Sequence, residues 1–297
     1  MPGAIAQGLI WGIMAIGVYI TYKVLNYSDL TVDGTMATGG AVCIMLMMNG
    51  VNMYLALLCA VIAGMLAGLV TGLFHTVMGI PPILAGILTQ LSLYSINLTI
   101  MGGKANQAVS ISKYNLIVSS RYVRELSLQN PIVITLLVLA ALIAVLYWFF
   151  GTELGCSLRA TGANEAMSRA QGINTNLCKI LGLMVANGIV ALASAMYSHY
   201  QGFVDVNMGR GAIVIGLAAV IISNVIFGKL FRNFALKLFA VTLGAVIYYI
   251  VIQIVLWLGL NTNLLKLLSA LIVALFLAIP FWKGKLHIRK KGGREHA

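Results

Sequence analysis

The stretch Arg159-Ala-Thr-Gly-Ala-Asn-Glu-Ala-Met-Ser-Arg-Ala-Gln-Gly-Ile173 is a polar, helix-compatible island between two long apolar segments. Glu165 lies four residues before Arg169, a spacing and order that favour a helix, and Gly172 is suited to ending one. Three residues have side chains that can cap its start: Thr161, Asn164 and Ser168. A short polar helix at a membrane surface contributes little to packing. We therefore interpret this polar island as a segment to which a soluble partner binds.

The composition around the island is that of a membrane protein. The chain has 297 residues, of which 61% are hydrophobic and 9% charged, with a mean hydropathy of +0.98. These values exclude a soluble domain and indicate an all-α, polytopic helical membrane protein. The net charge of +12 does not indicate a nucleic-acid partner, because the basic residues lie between apolar segments and in the tail 283–297.

Apolar runs that cross a bilayer need about 17–25 residues. Six runs reach that length: 5–26, 51–74, 131–150, 178–200, 237–258 and 264–282. Three more are shorter or interrupted: 35–49, 83–101 and 211–228. The sequence therefore predicts about nine membrane segments. The predicted domains are a transmembrane domain 1–282, a cytoplasmic loop 151–177 within it, and a basic cytoplasmic tail 283–297.

The distribution of Lys and Arg predicts the orientation. Placing the loop 151–177 and the tail inside puts most basic residues on the cytoplasmic side and the N-terminus outside. The loop 102–130 is the main exception, since it carries four basic residues on the outer side. It is either a simple crossover or part of a docking surface for an extracellular partner.

Two short motifs suggest an inverted-topology repeat. Asp29 precedes Gly40 by the same interval that separates Asp205 from Gly216, and each pair begins a short membrane segment. The predicted topology places the first motif toward the inside and the second toward the outside. Inverted repeats of this kind enclose the solute pathway of many transporters.

A glycine stripe marks a predicted close contact. Gly64, Gly68 and Gly72 recur every four residues in one apolar segment, a spacing that lets two helices approach closely. The partner helix is in the same subunit or, less simply, in a second copy.

Polar residues beside the short segments are the candidates for a pathway, because charges near the bilayer interior are normally paired, wetted or functional. The candidate pathway residues are Asp29, Thr31, Asp33, Gln90, Asp205 and Asn207. The alternative for Asp33 and Asp205 is N-capping of the helices that follow them. Gln90 alternatively forms a hydrogen bond between helices.

No constellation for catalysis or for a metal site is evident in the sequence. His75 and His199 are far apart, and the four cysteines have no metal-ligand spacing. A phosphate-binding loop is also absent from the sequence. The chain is therefore predicted to be a transport subunit and not an enzyme, with energy supplied by a partner or by a gradient.

Three motifs resemble a known family. Leu158-Arg-Ala-Thr-Gly-Ala-Asn-Glu-Ala166 with Ala170-Gln-Gly-Ile173 resembles the coupling loop of bacterial ABC importer permeases of the branched-chain amino-acid and ribose type. Asp29-Leu-Thr-Val-Asp-Gly34 and Arg210-Gly-Ala-Ile-Val-Ile-Gly-Leu-Ala-Ala-Val220 resemble two further segments of the ribose-type members. Within this group the chain is most similar to permeases associated with tryptophan- or tyrosine-binding lipoproteins.

The resemblance implies the partners of the chain. They are cytoplasmic ABC ATPase subunits, an extracellular substrate-binding lipoprotein and a second permease copy, all at a bacterial cell membrane. ATP and Mg would be bound by the ATPases, with no cofactor or metal on this chain. The implied ATPase-coupling residues are Arg159, Gly162, Asn164, Glu165, Ala166, Arg169, Ala170 and Gly172. The solute would be small, an amino acid and possibly an aromatic one.

Two other functions stay open at this point. A gradient-driven secondary transporter would need a titrating or ion-binding carboxylate within the membrane, for which Asp29 and Asp33 are the early candidates. A membrane-embedded enzyme would need His75, His199 and Asp205 to meet around one cavity.

Overall fold

The computed structural model describes residues 2–109, 114, 116–124, 130–228, 230, 231 and 233–259, with scattered positions between 267 and 278. Within them the helices are α1 (Pro2–Tyr19), α2 (Thr31–Met48), α3 (Met53–Thr76), α4 (Pro82–Ile100), α5 (Pro131–Gly151), α6 (Glu153–Ala163), α7 (Glu165–Ala170), α8 (Thr175–Gln201), α9 (Ala212–Phe227) and α10 (Phe234–Trp257). The strands are β1 (Asn106–Ala108) and β2 (Phe203–Asp205). A π-helical turn, Ile20–Val24, continues α1, and Ser120–Arg124 forms a 3-10 turn.

The fold is an all-α membrane fold, as predicted. Seven helical stretches in the described ranges are long and apolar enough to cross a membrane. They are α1 with its π-helical turn, α2, α3, α4, α5, α8 and α10. The predicted count of nine is not confirmed, because α9 has only 16 residues and the segment 264–282 lies largely outside the described residues. The segments expected to be short at 35–49 and 83–101 are full-length helices of 18 and 19 residues.

Two helix pairs make the most extensive contacts in the described bundle, and glycines bring each pair together. α3 packs along α8, and α10 packs along α1. A Cβ atom on Gly68 of α3 would overlap the Leu183 carbonyl of α8, and one on Gly12 would press on Thr242 of α10. The α3 glycine stripe therefore serves packing within the subunit.

The contacts of α2 and α9 correspond to each other, as the predicted repeat requires. α2 packs against α3 and α8, whereas α9 packs against α10 and α1. Gly40 of α2 faces Ser198 of α8, and Gly216 of α9 faces Val18 of α1. Exchanging α1, α2 and α3 for α8, α9 and α10 therefore preserves the set of helix contacts, which agrees with an inverted repeat.

The two ends of the bundle differ. At one end, β1 pairs antiparallel with β2, with Gln107 opposite Val204, just beyond the C-terminal ends of α4 and α8. We call this the sheet end. α6 and α7 lie between the end of α5 and the start of α8, at the opposite end, which we call the α7 end.

α2 begins in the interior of the bundle. Asp29, just ahead of α2, bonds to Asn187, which lies about 18 Å along α8 from Thr175 at about 1.5 Å per residue. α9 begins at a similar depth, because a Cβ atom on Gly209 would overlap the Asp33 carbonyl. The N-terminal ends of two helices therefore meet near the middle of the protein.

Candidate functional site

Asp29 organises the start of α2. Its carboxylate accepts one hydrogen bond from the Thr31 amide (2.9 Å) and another from the Asn187 side chain (2.7 Å). The side chain is buried, and in the described part of the chain no cation forms a salt bridge with it. A buried carboxylate needs satisfied hydrogen bonds. These two contacts fix the turn before α2 against α8.

Threonine hydroxyls extend this contact to α3 and α4. Thr31 and Thr71 lie 2.7 Å apart between their Oγ1 atoms, and the Thr71 hydroxyl donates to Thr89 at 2.9 Å. The Thr35 hydroxyl donates to Asn187 Oδ1 at 2.8 Å. Four helices are thus joined by buried polar side chains, and the conventional apolar core is interrupted there. We call Asp29, Thr31, Thr35, Thr71 and Asn187 the polar junction.

Asp33 links the two helix starts. Its carboxylate accepts hydrogen bonds from the backbone amides of Gly211 and Ile213, both at 2.9 Å. N-capping of α2 by Asp33 is wrong, because Asp33 lies within the first turn of α2. Its carboxylate instead accepts hydrogen bonds from amides at the start of α9. The negative carboxylate also suits the positive end of the α9 dipole. The Asp29 side chain binds the first amide of α2.

Asp205 and Asn207 lie away from this centre, at the sheet end. The Asp205 carboxylate accepts from the Asn207 amide at 2.7 Å and from the Asn106 side chain at 3.3 Å. N-capping of α9 by Asp205 is wrong, because Gly211 occupies the capping position and Asp33 binds the amides. Asp205 stabilises a turn beside the small sheet.

A cavity of about 320 Å³ opens beside Asp33. Its lining residues are Asp33, Gly34, Ala37, Gln90, Leu91, Tyr94, Asn97, Val206 and Arg210. Of the six predicted pathway residues, the structure places Asp33 and Gln90 in this lining. Asp29 and Thr31 belong to the polar junction, and Asp205 and Asn207 lie at the sheet end.

Three polar or charged lining residues were missed in the sequence, namely Tyr94, Asn97 and Arg210. Gln90, Tyr94 and Asn97 recur at helical spacing and form a polar stripe on one face of α4. That periodicity was the available signal for Tyr94 and Asn97. Arg210 gave none, because only the fold brings the loop before α9 to α4.

The polar island forms two helices, where one was predicted. α6 ends and α7 begins at Asn164, whose extended backbone breaks the helix and whose side chain accepts from the Met167 amide at 3.0 Å. Arg159 and Gly162 lie in α6. Gly172 follows α7 with a positive φ of 81°, a conformation that glycine adopts readily.

Glu165 holds α7 on α8. Its carboxylate contacts the Arg169 guanidinium at 2.6 Å and the Lys179 ammonium at 2.9 Å. The hydrogen bond from Lys179, helped by the charges of Lys179 and Arg169, lowers the pKa of the Glu165 carboxyl. Lys179 and Thr175, which also contacts Glu165, were missed because they follow the polar island.

The other side of α7 is open. Ala166, Met167 and Ala170 are exposed, and Met167 is 61% accessible although it is a large apolar residue. α6 is anchored beside them, because a Cβ atom on Gly162 would overlap the Val24 carbonyl at the end of the π-helical turn. An exposed, firmly held helix with an apolar centre has the character of a binding surface.

The histidines do not converge on one site. The His75 ring contacts Lys179 at the α7 end, whereas His199 lies against Cys43 near the sheet end of α8. Lys179 and His199 are about 30 Å apart along α8 at about 1.5 Å per residue. Among the described residues, no group of three or more His, Cys, Asp or Glu side chains is placed to hold a metal ion. This geometry removes the specific basis for a membrane-embedded enzyme.

Comparisons with known proteins agree with these features. The family described as "Branched-chain amino acid transport system / permease component" matches residues 2–280. The chain is 39% identical over 285 residues to the tyrosine transport system permease protein of Clostridioides difficile, covering 96% of this chain and 91% of that protein. It is 26% identical over 213 residues to the ribose import permease protein of Escherichia coli, covering 71% and 65%. No solved structure matches the chain significantly.

Proposed function

The chain belongs to the family of permease components of branched-chain amino acid transport systems, and we propose that it imports a small solute of the amino-acid class, aromatic amino acids included, with energy from separate ATPase subunits. It is a multi-pass membrane permease and not an enzyme. In this proposal an extracellular binding lipoprotein delivers the solute, and ATP with Mg is bound only by the ATPases.

The observation that carries the proposal is the surface of α7. The exposed residues Ala166, Met167 and Ala170 form a small docking face, and the Glu165 ion pairs hold that face on α8. Arg159 and Gly162 position it through α6, Asn164 caps it and Gly172 ends it. We assign ATPase coupling to these seven predicted residues and to Arg169, the ion-pair partner of Glu165 that completes the predicted set, and add Met167 as the apolar centre.

Two sets of contacts would transmit a displacement of α7 to the bundle. Lys179 connects Glu165 to α8, and α8 carries Asn187, which holds Asp29. α6 presses through Gly162 on the end of the π-helical turn, just before the loop that contains Asp29. Both sets of contacts reach the polar junction, so displacement of α7 would tilt α2 relative to α9.

Arg210 supports a second permease copy. Its guanidinium is exposed and lies over the Tyr94 ring at 5.9 Å from the ring centre. Tyr94 is about 9 Å before the end of α4 at about 1.5 Å per residue. A charge at this depth rarely faces lipid. In the proposal, a homodimer encloses this face in a wet central pathway, with Asp33 and Gln90 on its wall.

The remaining pathway residues have supporting roles in this proposal. Asp29 and Thr31 hold the α2 turn, and Asp205 and Asn207 shape the entrance at the sheet end. The sheet end then faces the binding protein, and the α7 end faces the cytoplasm of a bacterial cell. This orientation places the N-terminus outside and the basic tail inside, in accordance with the charge distribution.

Purification of the chain from its native membrane in mild detergent tests the proposal. Wild type is compared with Glu165→Arg and with Glu153→Arg, a matched charge reversal at the exposed start of α6. We expect an ABC ATPase to accompany wild type and the Glu153 variant, and to be lost from the Glu165 variant. Absence of an ATPase from a folded wild-type sample would contradict the proposal and favour the gradient-driven transporter.

A further inference from the structure

One residue that lines the cavity beside Asp33 has a buried acceptor atom with no partner among the described residues. Asn97 is completely buried, and its side-chain amide donates to the Gly34 carbonyl at 3.5 Å. Asn97 is one of the residues that line the cavity, and its Oδ1 atom is buried and accepts no hydrogen bond from any described residue. An unsatisfied buried acceptor is unfavourable. A ligand with N–H donors in the cavity would satisfy it.

The opposite wall supplies a cation. Arg210 lies in the loop before α9, and within the described ranges its guanidinium forms no salt bridge. Asp33, the carboxylate of the same cavity, is engaged by the amides of Gly211 and Ile213. Arg210 is therefore available to an external carboxylate, which a guanidinium binds with two parallel hydrogen bonds.

The rest of the lining is mainly apolar. Ala37, Leu91 and Val206 contribute aliphatic surface, and Tyr94 contributes an aromatic ring. The volume of about 320 Å³ is near the lower limit of about 300–1,000 Å³ for small-molecule sites. These properties favour a compact solute with an uncharged, apolar or aromatic side chain.

From this arrangement we infer that the permease itself holds a binding site for a zwitterionic amino acid. Arg210 binds the α-carboxylate, and Asn97 Oδ1 accepts from the α-ammonium, with Asp33 adding negative potential nearby. The apolar wall and Tyr94 contact the side chain. The inference rests on the proposed import function and deepens it, because it assigns selection among solutes to the permease and not only to the binding protein.

Direct binding in the absence of the binding protein tests the site. The permease–ATPase complex in lipid nanodiscs is titrated to millimolar concentrations with L-tyrosine, L-leucine, tyramine and ribose, with saturation-transfer NMR as the readout. We expect the two amino acids to bind, whereas tyramine, which lacks the carboxylate, and ribose bind on the order of tenfold more weakly or not at all. Equal binding of tyrosine and tyramine, or no amino-acid binding, would overturn the inference.

Variants identify the two polar contacts. R210Q should weaken tyrosine binding on the order of tenfold to a hundredfold, because it removes a charged hydrogen-bonding pair, and should abolish the preference for tyrosine over tyramine. R121Q, a substitution at an exposed arginine of the 3-10 turn, is the matched control and should bind as wild type does. Wild-type tyrosine affinity in R210Q would contradict the assignment.

Asn97 is tested by a pair of substitutions. N97L removes the acceptor at similar volume and should weaken tyrosine binding on the order of tenfold, whereas N97D retains an acceptor and should bind better than N97L. If no ATPase accompanies the permease, the same titrations are made on the permease alone. Absence of the ATPase would contradict the import proposal, whereas absence of amino-acid binding would contradict the binding site. The two failures therefore give different results.

Discussion

The carboxylate of the polar junction, Asp29, and the carboxylate of α7, Glu165, are held in opposite ways. Asp29 is buried and accepts from neutral donors, Thr31 and Asn187. Glu165 is partly exposed and binds two cations, Arg169 and Lys179. The first arrangement fixes helix positions in the interior. The second orients a surface helix but contributes little to the free energy of unfolding. The comparison predicts that stability depends on the polar junction, whereas partner binding depends on α7.

The largest loss of stability is expected at Asp29. Asp29→Ala leaves the Thr31 amide and the Asn187 side chain without their acceptor, so we expect the free energy of unfolding to fall by about 1–3 kcal/mol. Thermal unfolding of the detergent-solubilised permease measures this effect. Uptake should fall with it.

A reciprocal exchange sharpens this test. Asp29→Asn places an amide donor against the Asn187 donor and should also destabilise the protein. Adding Asn187→Asp restores a donor–acceptor pair, so the double variant should recover part of the stability lost in Asp29→Asn. Additive losses in the double variant would mean that the Asp29–Asn187 contact does not hold α2.

The next largest effect is expected at Asp33. Asp33→Ala removes the acceptor of two amides at the start of α9, and we expect a loss of about 1–2 kcal/mol. Asp205→Ala is the matched control, because Asp205 stabilises only a turn at the sheet end, and it should lose less than about 1 kcal/mol. Thermal unfolding of both variants decides the order, and an equal loss would contradict the cross-helix role of Asp33.

A smaller effect on stability is expected at Glu165. Glu165→Gln removes the charge from exposed ion pairs, which typically contribute about 0.2–1 kcal/mol. Unfolding should therefore change little, while recovery of the ATPase with the permease should fall clearly. A large loss of stability in Glu165→Gln would show that α7 is structural and would remove the contrast with Asp29.

The smallest effect is expected from pH. Because the folded pKa of Glu165 is lowered, its stabilising contribution is complete above the unfolded pKa of about 4.3 and is lost as pH falls through the folded value. ATPase binding through Glu165 should therefore stay constant from about pH 8 to pH 5. Binding measured across this range, with Glu165→Gln as reference, would contradict the account if only wild type lost affinity near pH 6.

Much of the fold was evident in the sequence because membrane helices are encoded by local apolar runs. The polar island was also evident locally, since its cap, ion pair and terminal glycine lie within fifteen residues. Even there, the structure was needed to select Asn164 from the three predicted capping residues, Thr161, Asn164 and Ser168, because all three residue types favour a helix start. Gly162→Trp would disturb packing as well as coupling, because any side chain at Gly162 would overlap the Val24 carbonyl.

The interior site was predicted only in part because its partners are remote in sequence. Asp33 was recognised as a polar residue near a short segment. Its contact with Gly211 forms only when the start of α9 packs against the start of α2. Tyr94 and Asn97 followed a helical period, whereas Arg210 joined them only through the fold. Local patterns therefore identified candidate side chains, and tertiary packing determined which of them share a cavity.

The central claim is that α7 is the surface that binds the ATPase. A photo-crosslinking amino acid at Met167, which is 61% exposed, tests it in native membranes, with the same probe at Phe203 of the sheet end as the control. The account predicts a crosslink from position 167 to an ABC ATPase subunit and none from position 203. An ATPase crosslink from position 203, or none from position 167 in a stably folded protein, would contradict it.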